Sequence, residues 1–128
     1  MATTGDAGGA PTGDGFAQGV VEIVGPDLDR SLDFYLSLGF ELLRRTGGFA
    51  VIHWQGQRLF LAKNSDAPTT PRWTNLRIMV DDVDAVREHV RTLGIEPSHP
   101  VADRGYGLRD FVLADPSGFE IRFAQALA

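Results

Sequence analysis

Residues 27–41 read DLDRSLDFYLSLGFE, and residues 82–96 read DVDAVREHVRTLGIE. Both stretches begin with Asp-x-Asp, continue with apolar residues at helical spacing, and end with Leu-Gly, an apolar residue and Glu. The matched positions are all 55 residues apart. A constant offset with matched chemistry indicates a duplicated supersecondary unit rather than two unrelated helices.

Each copy predicts a strand, a helix and a further series of strands. In the first copy, Asp27 or Asp29 caps a helix that ends at Gly39. Its predicted strands are 20–24, 40–45, 49–54 and 58–63. In the second copy, a helix ends at Gly94 and a loop with Pro97 and Pro100 follows it. The predicted strands of this copy are 73–80, 108–114 and 119–123, the last two joined by a turn at 115–118.

Composition limits the class of protein and its partners. The chain of 128 residues is 43% hydrophobic and 23% charged, which is typical of one soluble domain. It has no cysteine, which excludes disulfides, thiolate metal sites and cysteine nucleophiles. Its net charge of −5 argues against a nucleic-acid partner or an anionic membrane.

The chain divides into a tail, two units and a linker. Residues 1–15 are rich in glycine and lack large aliphatic side chains after Met1, so we expect a disordered tail. They have no basic or apolar segment of a signal peptide, and no stretch is apolar enough to span a membrane, so we expect a cytoplasmic protein. Residues 16–125 are predicted to form a single domain, with units at about 18–63 and 73–125 and a linker at 64–72.

Alternation along the strands predicts a ligand groove. In the strand from Trp73, one face carries Leu76, Ile78 and Val80, and the other carries Trp73, Asn75, Arg77 and Met79. The second set is too polar for a core and too aromatic for ordinary surface, which favours a groove. Running the register back through the turn at 115–118 predicts that Arg109, Phe111 and Leu113 lie beside Glu120 and Arg122. The same reasoning predicts that Val51 and His53 lie opposite Phe60 and Arg58.

The repeated unit resembles the vicinal oxygen chelate superfamily, which contains glyoxalase I, extradiol dioxygenases, fosfomycin-resistance enzymes and bleomycin-resistance binding proteins. Two motifs carry the resemblance: Asp27-Leu28-x-Arg30-Ser31-x-x-Phe34-Tyr35 and Asp115-Pro116-x-Gly118-x-x-Ile121. The resemblance covers about residues 18–125 and implies an α+β fold. In that fold, two tandem βαβββ units form a curved mixed sheet around a concave groove, with the helices on its outer face.

The resemblance also implies four positions that hold a divalent metal in the enzymes of the superfamily. In this sequence they are Val20, Phe60, Asn75 and Arg122. Valine and phenylalanine have no donor atom, and arginine is a permanent cation, so we expect neither a metal nor another cofactor. A displaced site built from Glu22, His53 and Glu120 is an alternative, but several arginines crowd the same concavity and are expected to pair with those carboxylates.

Twelve residues are predicted to bind a ligand: Glu22, His53, Arg58, Phe60, Trp73, Asn75, Arg77, Tyr106, Arg109, Phe111, Glu120 and Arg122. Trp73, Phe60 and Phe111 are candidate aromatic contacts, and Tyr106 lies in a glycine-flanked loop that could close over a guest. Trp54 is expected to face the helices as part of the core. Aromatic faces and guanidinium groups without a metal favour stacking and charge-assisted hydrogen bonds.

The resemblance is therefore to the bleomycin-resistance branch, and it implies a homodimer that sequesters a sizeable aromatic or amphipathic antibiotic or natural product without modifying it. The first alternative is a divergent glyoxalase-type lyase or isomerase with Glu22 or Glu120 as general base. A biosynthetic accessory protein that holds a pathway intermediate is a second alternative. The charge of the ligand stays open at this point.

Overall fold

The computed structural model describes residues 19–128, so the predicted tail at 1–15 lies outside the described residues. The first unit consists of β1 (Val21–Gly25), α1 (Leu28–Leu38), β2 (Glu41–Thr46), β3 (Phe49–Trp54) and β4 (Gln57–Lys63). The second consists of β5 (Asn75–Met79), α2 (Val83–Thr92), β6 (His99–Asp103), β7 (Leu108–Ala114) and β8 (Glu120–Ala126). The two helices begin 55 residues apart, as the repeat predicts.

Each unit forms a four-stranded mixed sheet, with strand orders β1-β4-β3-β2 and β5-β8-β7-β6. The first strand of each unit pairs in parallel with its last strand, and the other pairs are antiparallel. These are tandem βαβββ units, which confirms the predicted α+β class.

Both helices begin at the aspartates of the repeat. The side chain of Asp27 accepts a hydrogen bond from the amide of Arg30 at 3.1 Å, and Asp82 accepts one from Ala85 at the same distance. A carboxylate at this position satisfies an amide that has no partner within the helix. Gly39, with a φ of 121°, ends α1 in a conformation that other residues rarely adopt.

One prediction, the loop around Pro100, is wrong. This segment was expected to be a loop, but His99–Asp103 forms strand β6. This strand lies at the edge of its sheet and pairs only with β7, with an irregular register between His99 and Ala102. Proline is tolerated there because an edge strand does not need every amide to donate within the sheet.

The two units share one hydrophobic core. Trp54 of β3 lies 5.4 Å from Phe123 of β8 between ring centroids, and Phe123 in turn stacks on Phe111. Buried side chains of both helices complete the same cluster. We call the side of each sheet that packs into this core its helix face, and the other side its open face.

The two sequence motifs are joined in this core. The Tyr35 hydroxyl donates a hydrogen bond to Asp115 Oδ2, while Asp115 Oδ1 accepts bonds from the amides of Ser117 and Phe119 and from the Ser117 hydroxyl. Burial, followed by the negative charge of Asp115, raises the pKa of Tyr35 well above its ordinary value. A motif of the first unit thus holds the turn of the second.

Candidate functional site

The ligand-binding residues predicted in the first unit lie on its open face. Val51 lies opposite Phe60 and His53 opposite Arg58, which confirms the predicted register, and Phe60 is also opposite Glu22. His53 Nε2 lies 3.0 Å from Glu41 Oε1 on the neighbouring strand. Glu22 is exposed on the edge strand β1. This face is therefore a mixture of aromatic, cationic and carboxylate groups.

The open face of the second unit brings together four more of the predicted residues. Asn75 lies opposite Glu120 and Arg77 opposite Arg122 on the neighbouring parallel strands β5 and β8. The predicted aliphatic side of β5 is also found, since Leu76 and Ile78 pack on the helix face. The strand begins at Asn75 rather than at Trp73, and the Trp73 side chain is fully exposed.

Arg109 and Phe111 are on the helix face, not on the open face, so their predicted placement beside Glu120 and Arg122 is wrong. Phe111 lies opposite Phe123 and is completely buried. Arg109 lies opposite Gln125 and forms ion pairs with Asp84 and Asp103. The hydrogen bonds that Arg109 donates to these carboxylates raise its pKa.

The error comes from the length of one loop. The amide of Asp115 donates to the carbonyl of Phe119 at 2.8 Å, so three residues, 116–118, connect the paired positions instead of two. Gly118 takes a φ of 85° to close this loop. A register shift of one residue moves every side chain of a strand to the other face. Asp110 therefore lies opposite Ala124, where the sequence placed Arg109, and Val112 rather than Phe111 lies opposite Arg122.

Asp110 is the main site residue that the sequence analysis missed. Its carboxylate is completely buried, yet it lies on the open face and opposite Ala124. Arg104 Nε donates to Oδ1 at 2.7 Å, and the Tyr106 hydroxyl donates to Oδ2 at 2.7 Å. Arg77 Nη2 and Arg122 Nη1 lie 3.6 and 3.7 Å from Oδ2. A three-residue loop at 116–118, had it been recognised in the sequence, would have predicted that Asp110 lies on the open face.

The electrostatics of this cluster favour the ionised carboxylate. Burial alone would raise the pKa of Asp110, but the hydrogen bonds from Tyr106 and Arg104 and the charges of Arg104 and Arg122 outweigh it. The net result is a pKa below the ordinary value. The cluster thus combines one buried anion with three guanidinium groups.

Tyr106 forms part of the same cluster. It lies in the loop between β6 and β7, about half exposed, with its hydroxyl bound to Asp110. The guanidinium carbon of Arg77 lies 5.3 Å from the centre of the Tyr106 ring. This geometry is a cation–π contact, and it holds the loop against the open face.

The four positions that hold a metal in the superfamily's enzymes do not fit a cation here. Phe60 has no donor atom, Arg122 carries a positive charge beside Asp110, and Val20 precedes β1. Asn75 alone supplies a neutral oxygen, and divalent metals require several N or O ligands. Within residues 19–128, no group of three or more His, Asp or Glu side chains is placed to hold a metal ion.

The family model described as the Glyoxalase/Bleomycin resistance protein/Dioxygenase superfamily matches residues 17–123 of the sequence. The chain belongs to this superfamily. A search of curated proteins found no significant match. No helix in the described part of the chain is both long and apolar enough to cross a membrane.

Solved structures of superfamily type share the fold. A bleomycin-binding protein in complex with bleomycin superposes with a TM-score of 0.75 at 21% identity, covering 86% of this chain and 98% of that one. A superfamily protein from Alicyclobacillus acidocaldarius gives 0.73 at 24% identity, covering 86% and 92%. The fosfomycin resistance protein FosX of Listeria monocytogenes, in complex with Mn(II) and 1S,2S-dihydroxypropylphosphonic acid, gives 0.73 at 15% identity, also covering 86% and 92%. At these identities the similarity shows the fold alone.

Proposed function

We propose that this protein binds a sizeable aromatic or amphipathic antibiotic or natural product and sequesters it in the cytoplasm without a metal and without modifying it. The proposal rests on the residues found at the positions that hold a metal in the superfamily's enzymes. Phe60 and Arg122 occupy two of them, and Arg122 is ion-paired with a buried carboxylate. A site of this composition has groups that hold a guest and lacks those that polarise a substrate oxygen through a metal.

The lining of the open faces supports binding by stacking and charge-assisted hydrogen bonds. Phe60 packs at 5.1 Å against Phe49 on the first face, and Tyr106 stacks on Arg77 on the second. Planar aromatic groups and guanidinium forks recognise flat, polar molecules well. The bleomycin-binding protein of the same fold supports this class of ligand.

We further propose a homodimer in which the first unit of one chain and the second unit of its partner complete each groove. Each open face belongs to a separate four-stranded sheet, and neither sheet alone encloses a guest. A depression of about 310 Å³ at the edge of β5 is lined by Arg77 and Met79 of the open face and by Leu76, Ile78 and Trp54 of the helix face, and it is at the lower limit for a drug-sized ligand. Strands β1 and β5 each keep one unpaired edge, and Trp73 and Met79 are exposed near β5.

The two tryptophans allow a direct test of binding. Trp54 packs in the core against Phe40 and Phe123, whereas Trp73 is fully exposed. In a Trp54→Phe variant, Trp73 is the only indole, and its emission reports the groove. We expect saturable quenching when this variant is titrated with a panel of aromatic antibiotics. Recovery of the unmodified antibiotic by mass spectrometry is expected after prolonged incubation.

The matched control is Trp73→Ala, in which the core indole is the only fluorophore. Calorimetric titration of this variant should show affinity at least tenfold weaker than wild type, because a stacking surface is lost. Unchanged affinity would remove Trp73 from the site. Metal analysis of protein purified without chelator completes the test. A stoichiometric metal on which binding or turnover depends would overturn the proposal in favour of a lyase or another enzyme.

The dimer is tested by sedimentation and stoichiometry. We expect a mass of two chains and two ligands per dimer. A monomer that binds ligand at one site per chain with full affinity would contradict the shared groove while leaving the binding function intact.

A further inference from the structure

Arg77 and Arg122 form a guanidinium pair on the open face of the second unit. They are directly opposite each other on neighbouring strands β5 and β8, so their side chains leave the sheet on the same side. Two like charges in this position repel each other and destabilise the pairing. A negative charge close to both would offset this repulsion.

Asp110 supplies that charge only in part. Each of its oxygens already accepts a short hydrogen bond, one from Arg104 and one from Tyr106. The contacts of Arg77 and Arg122 with Oδ2, at 3.6 and 3.7 Å, are too long for good hydrogen bonds. Asp110 therefore positions the two arginines without satisfying their donors.

One of these donors is both buried and unsatisfied. Among the described residues, Arg122 Nε has no accessible surface and no hydrogen-bond partner. A buried N–H without an acceptor costs about 1–3 kcal/mol, and more when the group is charged. The Arg122 guanidinium therefore keeps hydrogen-bonding capacity that Asp110 does not use.

The charge balance points to the same kind of acceptor. Three guanidinium groups surround Asp110, and the next carboxylate on the face, Glu120, lies opposite Asn75 rather than opposite either member of the pair. Even when Glu120 is counted with Asp110, the three arginines leave an excess of positive charge. Guanidinium groups are planar forks that match the two oxygens of a carboxylate or of another oxyanion.

We propose that Arg77 and Arg122 bind an oxyanion on the ligand, and that the ligand is an aromatic acid whose ring lies beside Tyr106. This inference rests on the proposed binding function and narrows its ligand class. The Tyr106 ring is about half exposed and already stacks on Arg77, so the aromatic surface lies next to the anion site. The Arg77 and Arg122 side chains are 36% and 21% exposed, and these exposed parts donate to the bound oxyanion.

The probes are 2-naphthoate and its uncharged amide, 2-naphthamide, which differ in the anionic group and share the ring. We expect the full-length wild-type protein to bind naphthoate at least tenfold more tightly by calorimetry. Sulfate should compete with naphthoate, whereas sodium chloride at the same ionic strength should compete much less. In ¹⁵N spectra, the Nε–H signals of Arg77 and Arg122 should shift saturably with the same Kd.

The variants are Arg122→Gln and Arg77→Gln, with Arg91→Gln as the matched control. Arg91 is an exposed residue of α2 that pairs with Glu88, so its replacement makes the same charge change away from the face. The first two variants should lose the preference for the acid, and the control should keep it. Arg122→Lys keeps the charge but loses the fork, and we expect an intermediate preference. Amide spectra of each variant verify that it is folded.

Three results would overturn the oxyanion site: equal affinity for the acid and the amide, no saturable binding of naphthoate, or equal and unsaturated shifts of all arginine signals. If no antibiotic of the panel binds but the protein still prefers naphthoate to naphthamide, only the sequestration of antibiotics is contradicted. Tight binding of an antibiotic that Arg122→Gln leaves unchanged would contradict only the oxyanion site.

Discussion

Replacing Asp110 with Asn removes the negative charge that three guanidinium groups share and keeps the size of the side chain. The wild-type carboxylate is completely buried and accepts two hydrogen bonds of 2.7 Å. The amide oxygen of Asn can keep one of these bonds. Its NH₂ group can donate to the Tyr106 hydroxyl but not to the guanidinium groups, which lose their anion.

The size of the effect follows from burial. Removing one partner of a fully buried ion pair costs about 3–5 kcal/mol. Here the side chains of Arg77, Arg104 and Arg122 are 36%, 26% and 21% exposed, so water solvates part of each cation once the anion is gone. We therefore expect Asp110→Asn to lower the free energy of unfolding by about 2 kcal/mol at pH 7.

Urea denaturation at pH 7 measures this change, with Asp103→Asn as the control. Asp103 is an exposed carboxylate that pairs with Arg109, and its loss should cost less than about 1 kcal/mol. Folding lowers the pKa of Asp110, so its stabilisation is present above the unfolded pKa of about 4 and is lost as the pH falls through the folded pKa. The difference between wild type and Asp110→Asn should therefore shrink in acid. Equal losses in the two variants, or a gap that does not depend on pH, would refute the reasoning.

Two further predictions concern the joined motifs. Tyr35→Phe removes the donor to buried Asp115 and should cost about 1–3 kcal/mol in urea denaturation. Because folding raises the pKa of Tyr35, wild-type stability should fall above about pH 10, where the unfolded state ionises, and a fall of the same size in the variant would contradict this. In Gly118→Ala, the backbone φ of 85° is unfavourable for alanine and the new Cβ would clash with the Thr70 carbonyl oxygen, so we expect a loss above about 2 kcal/mol. Gly107→Ala has a similar φ but open space, and its loss in thermal unfolding should be near 1 kcal/mol; equal losses would refute the steric argument.

Local patterns predicted most of the architecture. The 55-residue repeat located both helices and their caps, because capping depends on residues three positions apart. Alternation correctly sorted the faces of β4, β5 and β8, since side chains in a strand alternate regardless of context. Strand β6 was missed because Pro100 reads as a loop residue until the strand is known to lie at an edge.

The candidate site was less predictable, and Asp110 shows why. In the sequence, Asp110 is an acidic residue next to Arg109, and nothing in the neighbouring residues marks it as buried. It becomes a buried anion only because a three-residue loop sets the register of β7 and because Arg104 and Tyr106 fold back onto it. Both contacts join the β6–β7 loop to strand β7, and the alternation of residues along a strand does not predict how a loop folds back onto it.

The amino-acid sequence by itself determined the duplication, the two helices, the alternation of most strands and the residue types at the four superfamily positions. These properties depend on interactions over a few residues, or on chemistry that each side chain carries wherever it lies. Only the tertiary structure decided which face Phe111 and Asp110 occupy, and that side chains of both units pack in one core. The physical reason is that strand register and the packing of units depend on loop length and on the burial of distant side chains against each other.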